Sequence, residues 1–194
     1  AMKHSLRQSI IAARQKLAAA EREAFSRAIT ARLLALESYR SAATVLGYMS
    51  FGAEYASSAW VQQALLDGKQ VLLPKVNRTS KELDLYQLKD VQQDLAPGAW
   101  DIPEPLPARC RQLDQLNAVD FILLPGVAFA RDGARLGYGG GFYDKLLARM
   151  PHQPVLIAAA FGMQLVPAIP QEATDRKVEW LVTEHETIHC AAQH

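Results

Sequence analysis

The stretch of residues 119–148, VDFILLPGVAFARDGARLGYGGGFYDKLLA, constrains the fold more than any other part of this chain. Its first six residues are almost wholly apolar and are broken by Pro125 and Gly126, which is typical of a buried strand. A run of glycines then precedes FYDKLLARM, whose apolar spacing predicts a helix. A strand that leads through glycines into a helix start makes a cradle for phosphate, with room for a metal ion.

Several other segments predict strands and helices in alternation. Residues 3–22 and 20–36 have apolar positions at helical spacing, and residues 56–67 continue the pattern up to Gly68. Short apolar or alternating runs predict strands at 43–49, 71–74, 83–88, 155–160 and 181–183. Nearly apolar strands that alternate with helices indicate a mostly parallel sheet covered on both faces. With 194 residues and no internal repeat, the chain fits one α/β domain.

The charge balance argues against a nucleic-acid surface. The chain has 21 Lys+Arg against 20 Asp+Glu, with no cluster of basic residues. Its longest apolar run, residues 155–161, is far shorter than the roughly 20 residues that span a bilayer. Cys110 and Cys190 have no metal or redox spacing and fit a reducing compartment. We therefore expect a cytoplasmic protein that binds neither nucleic acid nor membrane.

The glycine loop, defined as residues 137–141 (GYGGG), predicts an anion site. Glycines allow positive φ and close approach to an oxygen, and the helix start after them offers unpaired N–H groups. Arg135 adds a guanidinium that can grip phosphate oxygens. Asp144 would repel bare phosphate unless magnesium lay between them. Walker A and Gly-x-Gly-x-x-Gly patterns are both absent from this stretch, and a tight structural turn is the alternative.

Charged residues elsewhere in the chain can complete such a site. Lys3, Arg7 and Arg14 share one helical face, which is either a solvated surface or delivers Lys3 and Arg7 into a site. Glu54 follows the first predicted strand and either lines the ligand crevice or begins a helix. Asp175 either caps a turn or contributes to a metal site.

Residues 95–118 are the least regular part of the chain. Five prolines and glycines at 97, 98, 103, 105 and 107 exclude a helix and disfavour a central strand. Such a long irregular connection is usually functional or mobile. Trp100 within it either stacks on a flat ligand or pins the segment to the core.

The motifs LPGVAF and DGARLGYGGGFYDKLL resemble the signature of the 5-formyltetrahydrofolate cyclo-ligase family, whose members are also called methenyltetrahydrofolate synthetases. Lys3, Arg7, Met49, Glu54, the segment 100–105 and Asp175 also occur in the family's order. The resemblance implies a three-layer α/β/α sandwich with a mostly parallel sheet, related to ribose-5-phosphate isomerase and CoA transferases. It implies a single domain over 1–194, with N-terminal helices at 3–37, a nucleotide loop at 125–144 and a short C-terminal tail at 186–194.

The resemblance also implies an activity and a set of site residues. The activity is ATP- and magnesium-dependent cyclisation of 5-formyltetrahydrofolate to 5,10-methenyltetrahydrofolate, with phosphorylation of the formyl oxygen and release of ADP and phosphate. The implied catalytic residues are Lys3, Arg135 and Tyr143, and the implied magnesium ligands are Asp144 and Asp175. The implied ATP contacts are Lys3, Arg7, Arg135, Leu136, Gly137, Tyr138, Gly139, Gly140, Gly141, Phe142 and Tyr143. The implied folate contacts are Met49, Glu54, Trp100, Tyr138, Gly139, Gly140, Gly141 and Phe142.

Three positions depart from the family pattern. Asp101 stands where glycine usually precedes Ile-Pro-Glu-Pro, Ala130 replaces a frequent aspartate, and Tyr138 stands where some members carry arginine. We expect activity to survive these changes, since none touches the magnesium carboxylates. We expect a monomer acting on a small folate, with or without a polyglutamate tail. The alternatives are a sugar-phosphate isomerase or CoA-transferase-like enzyme on the same fold, and a folate or nucleotide binding module without turnover.

Overall fold

The computed structural model describes residues 1–190 of the chain. The α-helices are α1 (Met2–Gln15), α2 (Ala19–Ala35), α3 (Glu37–Ser41), α4 (Ser58–Leu66) and α5 (Phe142–Ala148). The first strands are β1 (Thr44–Leu46), β2 (Gln70–Asn77), β3 (Glu82–Leu88), β4 (Leu95–Pro97), β5 (Pro103–Pro105) and β6 (Phe121–Leu124). The remaining strands are β7 (Ala128–Phe129), β8 (Arg135–Leu136), β9 (Val155–Ala159), β10 (Trp180–Val182) and β11 (Thr187–His189). Single 3-10 turns occur at Ala99–Asp101, Leu116–Ala118 and Gly162–Gln164.

The main sheet has seven strands in the order β11-β10-β9-β6-β1-β2-β3. Its inner neighbours pair in parallel, whereas β2 with β3 and β10 with β11 pair antiparallel at the edges. Parallel neighbours require crossover connections, which α4 supplies between β1 and β2 and α5 between β6 and β9, whereas a long connection with one 3-10 turn joins β9 to β10. The prediction of an α/β domain with a mostly parallel sheet is confirmed. Two small sheets, β4 with β5 and β7 with β8, lie outside the main one.

Both faces of the sheet are covered by helices. Along β6, Phe121 and Leu123 face the cluster that contains residues of α2, α3 and α4. Ile122 and Leu124 face the opposite cluster, which contains Leu146 of α5. Successive residues of a strand point to opposite faces, so an uninterrupted apolar run is what a strand covered on both sides requires. The helices and the sheet therefore form three layers, as predicted.

Helix α1 packs away from these two clusters. Its Ile10 belongs to a third apolar cluster together with Val127, Leu136 and Ile169. Ala130, one of the three departures from the family pattern, is 2% exposed within the same cluster. This position therefore serves packing in this chain. Because the cluster lies beside β7 and β8, it places α1 next to the glycine loop.

The expectation of a C-terminal tail is corrected by the structure. Residues 187–189, predicted as tail, form the edge strand β11, because their backbone pairs antiparallel with β10. Residues 191–194 of that predicted tail lie outside the described residues. The connection 95–118 is partly ordered by the β4–β5 hairpin, which prolines permit at a sheet edge. Among the helices of residues 1–190, none is long and apolar enough to cross a membrane.

Candidate active site

A cavity of about 1160 Å³ lies beside the carboxyl ends of β1 and β6. Its walls come from α1, the loops after β1 and β6, the β4–β5 hairpin, the glycine loop and the loop at 172–176. Ligands in open α/β sheets bind at this edge of the sheet. The cavity is lined by every predicted site residue: Lys3, Arg7, Met49, Glu54, Trp100, Arg135, Leu136, Gly137, Tyr138, Gly139, Gly140, Gly141, Phe142, Tyr143, Asp144 and Asp175.

The glycine loop takes a backbone path that side chains would obstruct. Gly139 and Gly141 have φ of 102° and 70°, in the region that L-residues rarely adopt. A Cβ on Gly140 would lie 2.8 Å from a ring carbon of Phe142. Gly141 is the N-cap of α5, and Asp144 lies in the first turn of that helix, as expected. The glycines thus turn the chain sharply into α5 beside the cavity.

Two cations of α1 reach the cavity. The Arg7 Nε donates a hydrogen bond of 2.8 Å to the Gly137 carbonyl, which fixes the guanidinium against the glycine loop. The Lys3 Nζ lies 3.5 Å from Glu172 Oε1 and 3.7 Å from Asp175 Oδ2. Asp175 also accepts a hydrogen bond of 2.8 Å from the Glu172 N–H, so it caps a turn and lines the cavity at the same time.

Arg135 lies almost fully buried beneath the glycine loop. Its Nη1 donates to the Pro125 carbonyl at 2.9 Å, and its Nη2 lies 3.8 Å from Asp144 Oδ1. Burial lowers the pKa of Arg135, while the charges of Asp144 and Asp175 oppose that shift. The guanidinium also lies 5.9 Å from the centre of the Tyr143 ring. Burial raises the pKa of Tyr143, so its hydroxyl stays protonated as a donor.

The carboxylates fit a magnesium ion that is bound together with phosphate. Asp144 and Asp175 line one cavity and both act on the charge of Arg135. Within residues 1–190, no group of three or more His, Cys, Asp or Glu side chains comes together as a metal cage. Magnesium usually takes one or two carboxylates and completes its shell with water and substrate phosphates. This donor set therefore suits a metal that arrives with a nucleotide.

A second group of side chains, which we call the acceptor cluster, consists of Glu54 and Tyr138, which line the cavity, and of the buried Arg14, which contacts Tyr138. The Tyr138 hydroxyl donates to Glu54 Oε2 at 2.7 Å and lies 3.2 Å from Arg14 Nη2. The other carboxylate oxygen, Oε1, accepts from the Phe51 N–H at 2.9 Å. Burial raises the pKa of Glu54, and these two hydrogen bonds and the charges of Arg14 and Arg22 oppose the shift.

The acceptor cluster settles two alternatives left by the sequence. Glu54 does not begin a helix, because α4 starts only at Ser58 and the carboxylate closes a turn on Phe51. Arg14 is 4% exposed, so the solvated-face alternative is wrong for that residue. Tyr138 places its hydroxyl between the two charges.

The β4–β5 hairpin forms one rim of the cavity. Trp100 near its tip is 70% exposed and meets the Phe142 ring edge-on at 6.0 Å, so it does not pin the hairpin to the core. Trp100 and Asp101 both have positive φ, of 55° and 59°, a region that favours glycine, which is the residue that the resemblance implies at position 101. The tryptophan is left free to meet a ligand.

Two residues of the site were not predicted from the sequence: Glu104, which lines the cavity, and Arg14, which contacts Tyr138 from outside the cavity lining. The buried Glu104 accepts from the Val76 N–H at 2.9 Å and pairs with Lys75 at 3.3 Å, which ties the hairpin to β2. An acidic residue between two prolines was the available signal. For Arg14, the signal was its spacing of seven residues from Arg7, two helical turns along the same face.

Comparisons with known proteins agree on one family. Residues 1–184 match the model of the 5-formyltetrahydrofolate cyclo-ligase family. The 5-formyltetrahydrofolate cyclo-ligase of Escherichia coli is 34% identical over 72% of this chain and 77% of its own length. The mouse protein of that name is 29% identical over 94% of this chain and 93% of its own. The NMR structure of Aquifex aeolicus 5,10-methenyltetrahydrofolate synthetase superposes with a TM-score of 0.86, at 30% identity over 100% of this chain and 95% of that one.

Proposed function

Because the chain belongs to the 5-formyltetrahydrofolate cyclo-ligase family, and is therefore a ligase, we propose that it closes the ring of 5-formyltetrahydrofolate at the expense of ATP, with magnesium. The product is 5,10-methenyltetrahydrofolate, released with ADP and phosphate. The observation that carries the proposal is that residues distant in the sequence meet at one cavity. Residues from α1, the loop after β1, the glycine loop and the loop at 172–175 all line one cavity.

The formyl oxygen is a poor leaving group, so the ring closure needs activation. In the proposed reaction the γ-phosphoryl group passes from ATP to the formyl oxygen and forms an iminium-like phosphate on the folate. The neighbouring N–H nitrogen of the same folate then bonds to the formyl carbon and loses its proton to the departing phosphate, as the bond between the formyl carbon and the activated oxygen breaks. Phosphoryl transfer depends on positioning and charge neutralisation more than on acid–base groups.

The chain's own residues supply that positioning and charge. Lys3, Arg7 and Arg135 present three cations to the triphosphate, and Arg7 and Arg135 are held in place by backbone carbonyls. Preorganised charges of this kind stabilise a transition state without reorganisation. Tyr143 offers a hydroxyl that stays protonated beside Arg135. Magnesium, held by Asp144 and Asp175 with phosphate oxygens, would supply further charge neutralisation.

The folate lies at the other end of the cavity in this proposal. Glu54 accepts N–H bonds from the amino-pyrimidine edge of the pterin, Met49 supplies an apolar wall, and Trp100 and Phe142 flank the ring system. The backbone of the glycine loop contacts both ligands. We further propose that the protein is a cytoplasmic monomer and that a polyglutamate tail can extend from the folate. The isomerase and CoA-transferase alternatives are not favoured, because the relatives described above are cyclo-ligases and synthetases.

The experiment is direct. Protein mixed with ATP, magnesium and 5-formyltetrahydrofolate is expected to produce the absorbance of the methenyl product, with one ADP formed for each folate consumed. Absence of an ATP-dependent signal from protein that is folded by circular dichroism would contradict the proposal. Tight folate binding in calorimetry without ADP release would instead indicate a binding module.

A further inference from the structure

Arg14 is a buried cation that the proposed chemistry leaves without a role. Its guanidinium lies under the glycine loop, where its Nη2 contacts the Tyr138 hydroxyl at 3.2 Å. Its Nε has no hydrogen-bond partner among residues 1–190. Removing a guanidinium from water is costly unless nearby anions and acceptors compensate. Within the acceptor cluster, the anion that compensates is Glu54, reached through Tyr138.

The chemistry of the three groups fixes the direction of their hydrogen bonds. A guanidinium only donates, so the Tyr138 oxygen accepts from Arg14. The single hydroxyl proton of Tyr138 is therefore donated to Glu54 Oε2, at 2.7 Å. That arrangement requires Oε2 to be an acceptor, which favours the ionised carboxylate. Arg14 thus acts on Glu54 through the hydroxyl between them.

Glu54 keeps capacity for a ligand after these bonds are made. An ionised carboxylate has about four acceptor sites. One site on Oε1 accepts from Phe51 and one on Oε2 accepts from Tyr138, which leaves one on each oxygen. Two acceptors side by side on a cavity wall match a pair of adjacent N–H groups on a flat heterocycle.

On the basis of the function proposed above, we propose that Arg14 is a positioning residue for folate recognition: through the Tyr138 hydroxyl it holds Glu54 as an oriented, ionised acceptor for the N–H groups of the pterin. Other titratable groups face Glu54 as well. Arg22 of α2 donates to the Glu54 backbone carbonyl at 3.1 Å. The charge of Glu54 also contributes to the raised pKa values of Tyr48 and Tyr143. Arg14 is therefore one of several groups that act on the Glu54 carboxylate, and its effect is the change in that carboxylate when its single charge is removed.

Kinetics of Arg14→Met and Arg14→Lys test the role. Arg14→Met is expected to raise the KM for 5-formyltetrahydrofolate about tenfold, the effect of weakening one charge-assisted hydrogen bond. Its kcat and its KM for ATP are expected to stay within about twofold. Because one favourable charge is lost, the acidic limb of kcat/KM for the folate should move to higher pH. Arg14→Lys keeps the charge and should restore the position of that limb.

Two further variants separate positioning from folding. Tyr138→Phe breaks the relay without removing the cation and should raise the same KM. In a Glu54→Gln background, Arg14→Met should add little to the folate KM, since the carboxylate on which it acts is gone. Arg27→Met, on an exposed position of α2, is the matched control.

The outcomes are distinguishable. If Arg14→Met lowers the melting temperature but leaves the folate KM and the acidic limb unchanged, Arg14 is structural and the inference is wrong. Equal changes in the KM for the folate and the KM for ATP would also overturn the inference, because Arg14 would then act on the whole glycine loop. If Arg14→Met does not fold, the Tyr138→Phe variant decides the question. An unchanged folate KM in that variant is sufficient to overturn the inference. Lack of turnover and of folate binding in the unsubstituted protein would refute the proposed function, and this inference with it.

Discussion

The two ends of the cavity are built on different principles. At the phosphate end, which comprises Lys3, Arg7, Arg135, Asp144 and Asp175, the opposite charges lie 3.7–3.8 Å apart, beyond hydrogen-bond distance. In the acceptor cluster, the polar atoms are 2.7–3.2 Å apart and Glu54 is 4% exposed. Loosely paired charges can exchange their partners for a ligand and a metal at little cost, whereas two short hydrogen bonds hold the Glu54 carboxylate in one orientation. One end is therefore suited to charge that arrives with the ligand, and the other to a neutral ring of fixed shape.

Asp144→Asn should break the phosphate end without disturbing the acceptor cluster. Losing this proposed magnesium ligand is expected to lower kcat about 100-fold or more at saturating folate. Stability should fall as well, because the almost fully buried Arg135 loses the charge of Asp144, which compensates its burial. Steady-state kinetics against magnesium concentration, with thermal melting alongside, provides the measurement. Asp114→Asn, at an exposed position, is the control, and full activity of Asp144→Asn would refute the metal assignment.

Glu54→Gln should break the acceptor cluster while sparing the phosphate end. Loss of the charged acceptor is expected to raise the folate KM about 10- to 100-fold, through about 1.5–3 kcal/mol of hydrogen bonding. The KM for ATP should change little. A comparable rise in both KM values would show that the two ends are not independent.

The burial of Glu54 makes both the stability of the protein and its folate affinity depend on pH. Burial raises the folded-state pKa of Glu54 despite the opposing hydrogen bonds and charges, so the carboxylate is harder to ionise in the folded protein than in the unfolded chain. The ionised form therefore reduces stability at neutral pH, and that penalty disappears as the pH falls through the raised pKa. On acidification, the unsubstituted protein should gain stability relative to Glu54→Gln while it loses folate affinity. Urea unfolding and folate titration across this range measure the two effects, and parallel behaviour of both proteins would contradict the prediction.

Lys3→Met tests whether the phosphate end depends on long-range charge. The KM for ATP should rise about tenfold at low salt, and the difference should shrink at high salt because exposed charges are screened. The Lys3 side chain is 27% exposed, which leaves it open to such screening. Arg27→Met should not change the ATP KM at any salt concentration. A salt-independent effect of Lys3→Met would indicate a closed, preorganised contact like that of the acceptor cluster.

The smallest effect is expected at the hairpin rim, which belongs to neither end. Asp101→Gly removes a side chain from a residue with φ of 59°. Relief of that strain is offset by the entropy of glycine in the unfolded chain, so the free energy of unfolding should rise by no more than about 1 kcal/mol. Turnover should be unchanged. Ala99→Gly, a neighbour outside the positive-φ region, should instead destabilise the protein, and chemical unfolding compares the two.

The sequence predicted best what depends on local chemistry. The apolar run of β6 and the spacing of the glycine loop each express a constraint within a few residues, and both predictions of structure are confirmed. Arg14 could not be placed, because its environment is decided by a residue 124 positions away. Glu104 was missed for the same reason, since its role depends on the distant β2 backbone. The edge strand β11 is short and partly polar, and only its pairing with β10 makes it a strand.

Helix α1 contributes Lys3 and Arg7 to the phosphate end and Arg14 to the acceptor cluster, yet few of its residues are buried. Its buried residues are Ile10 and Arg14, while Lys3 and Arg7 are partly exposed. Segments with little buried apolar surface open locally at a lower free energy than the global unfolding of the domain. A brief detachment of α1 would remove its cations from the phosphate end and from the acceptor cluster together while the sheet stays intact. On heating, catalytic competence should accordingly follow the amide-exchange protection of this one helix, and fade before the sheet melts.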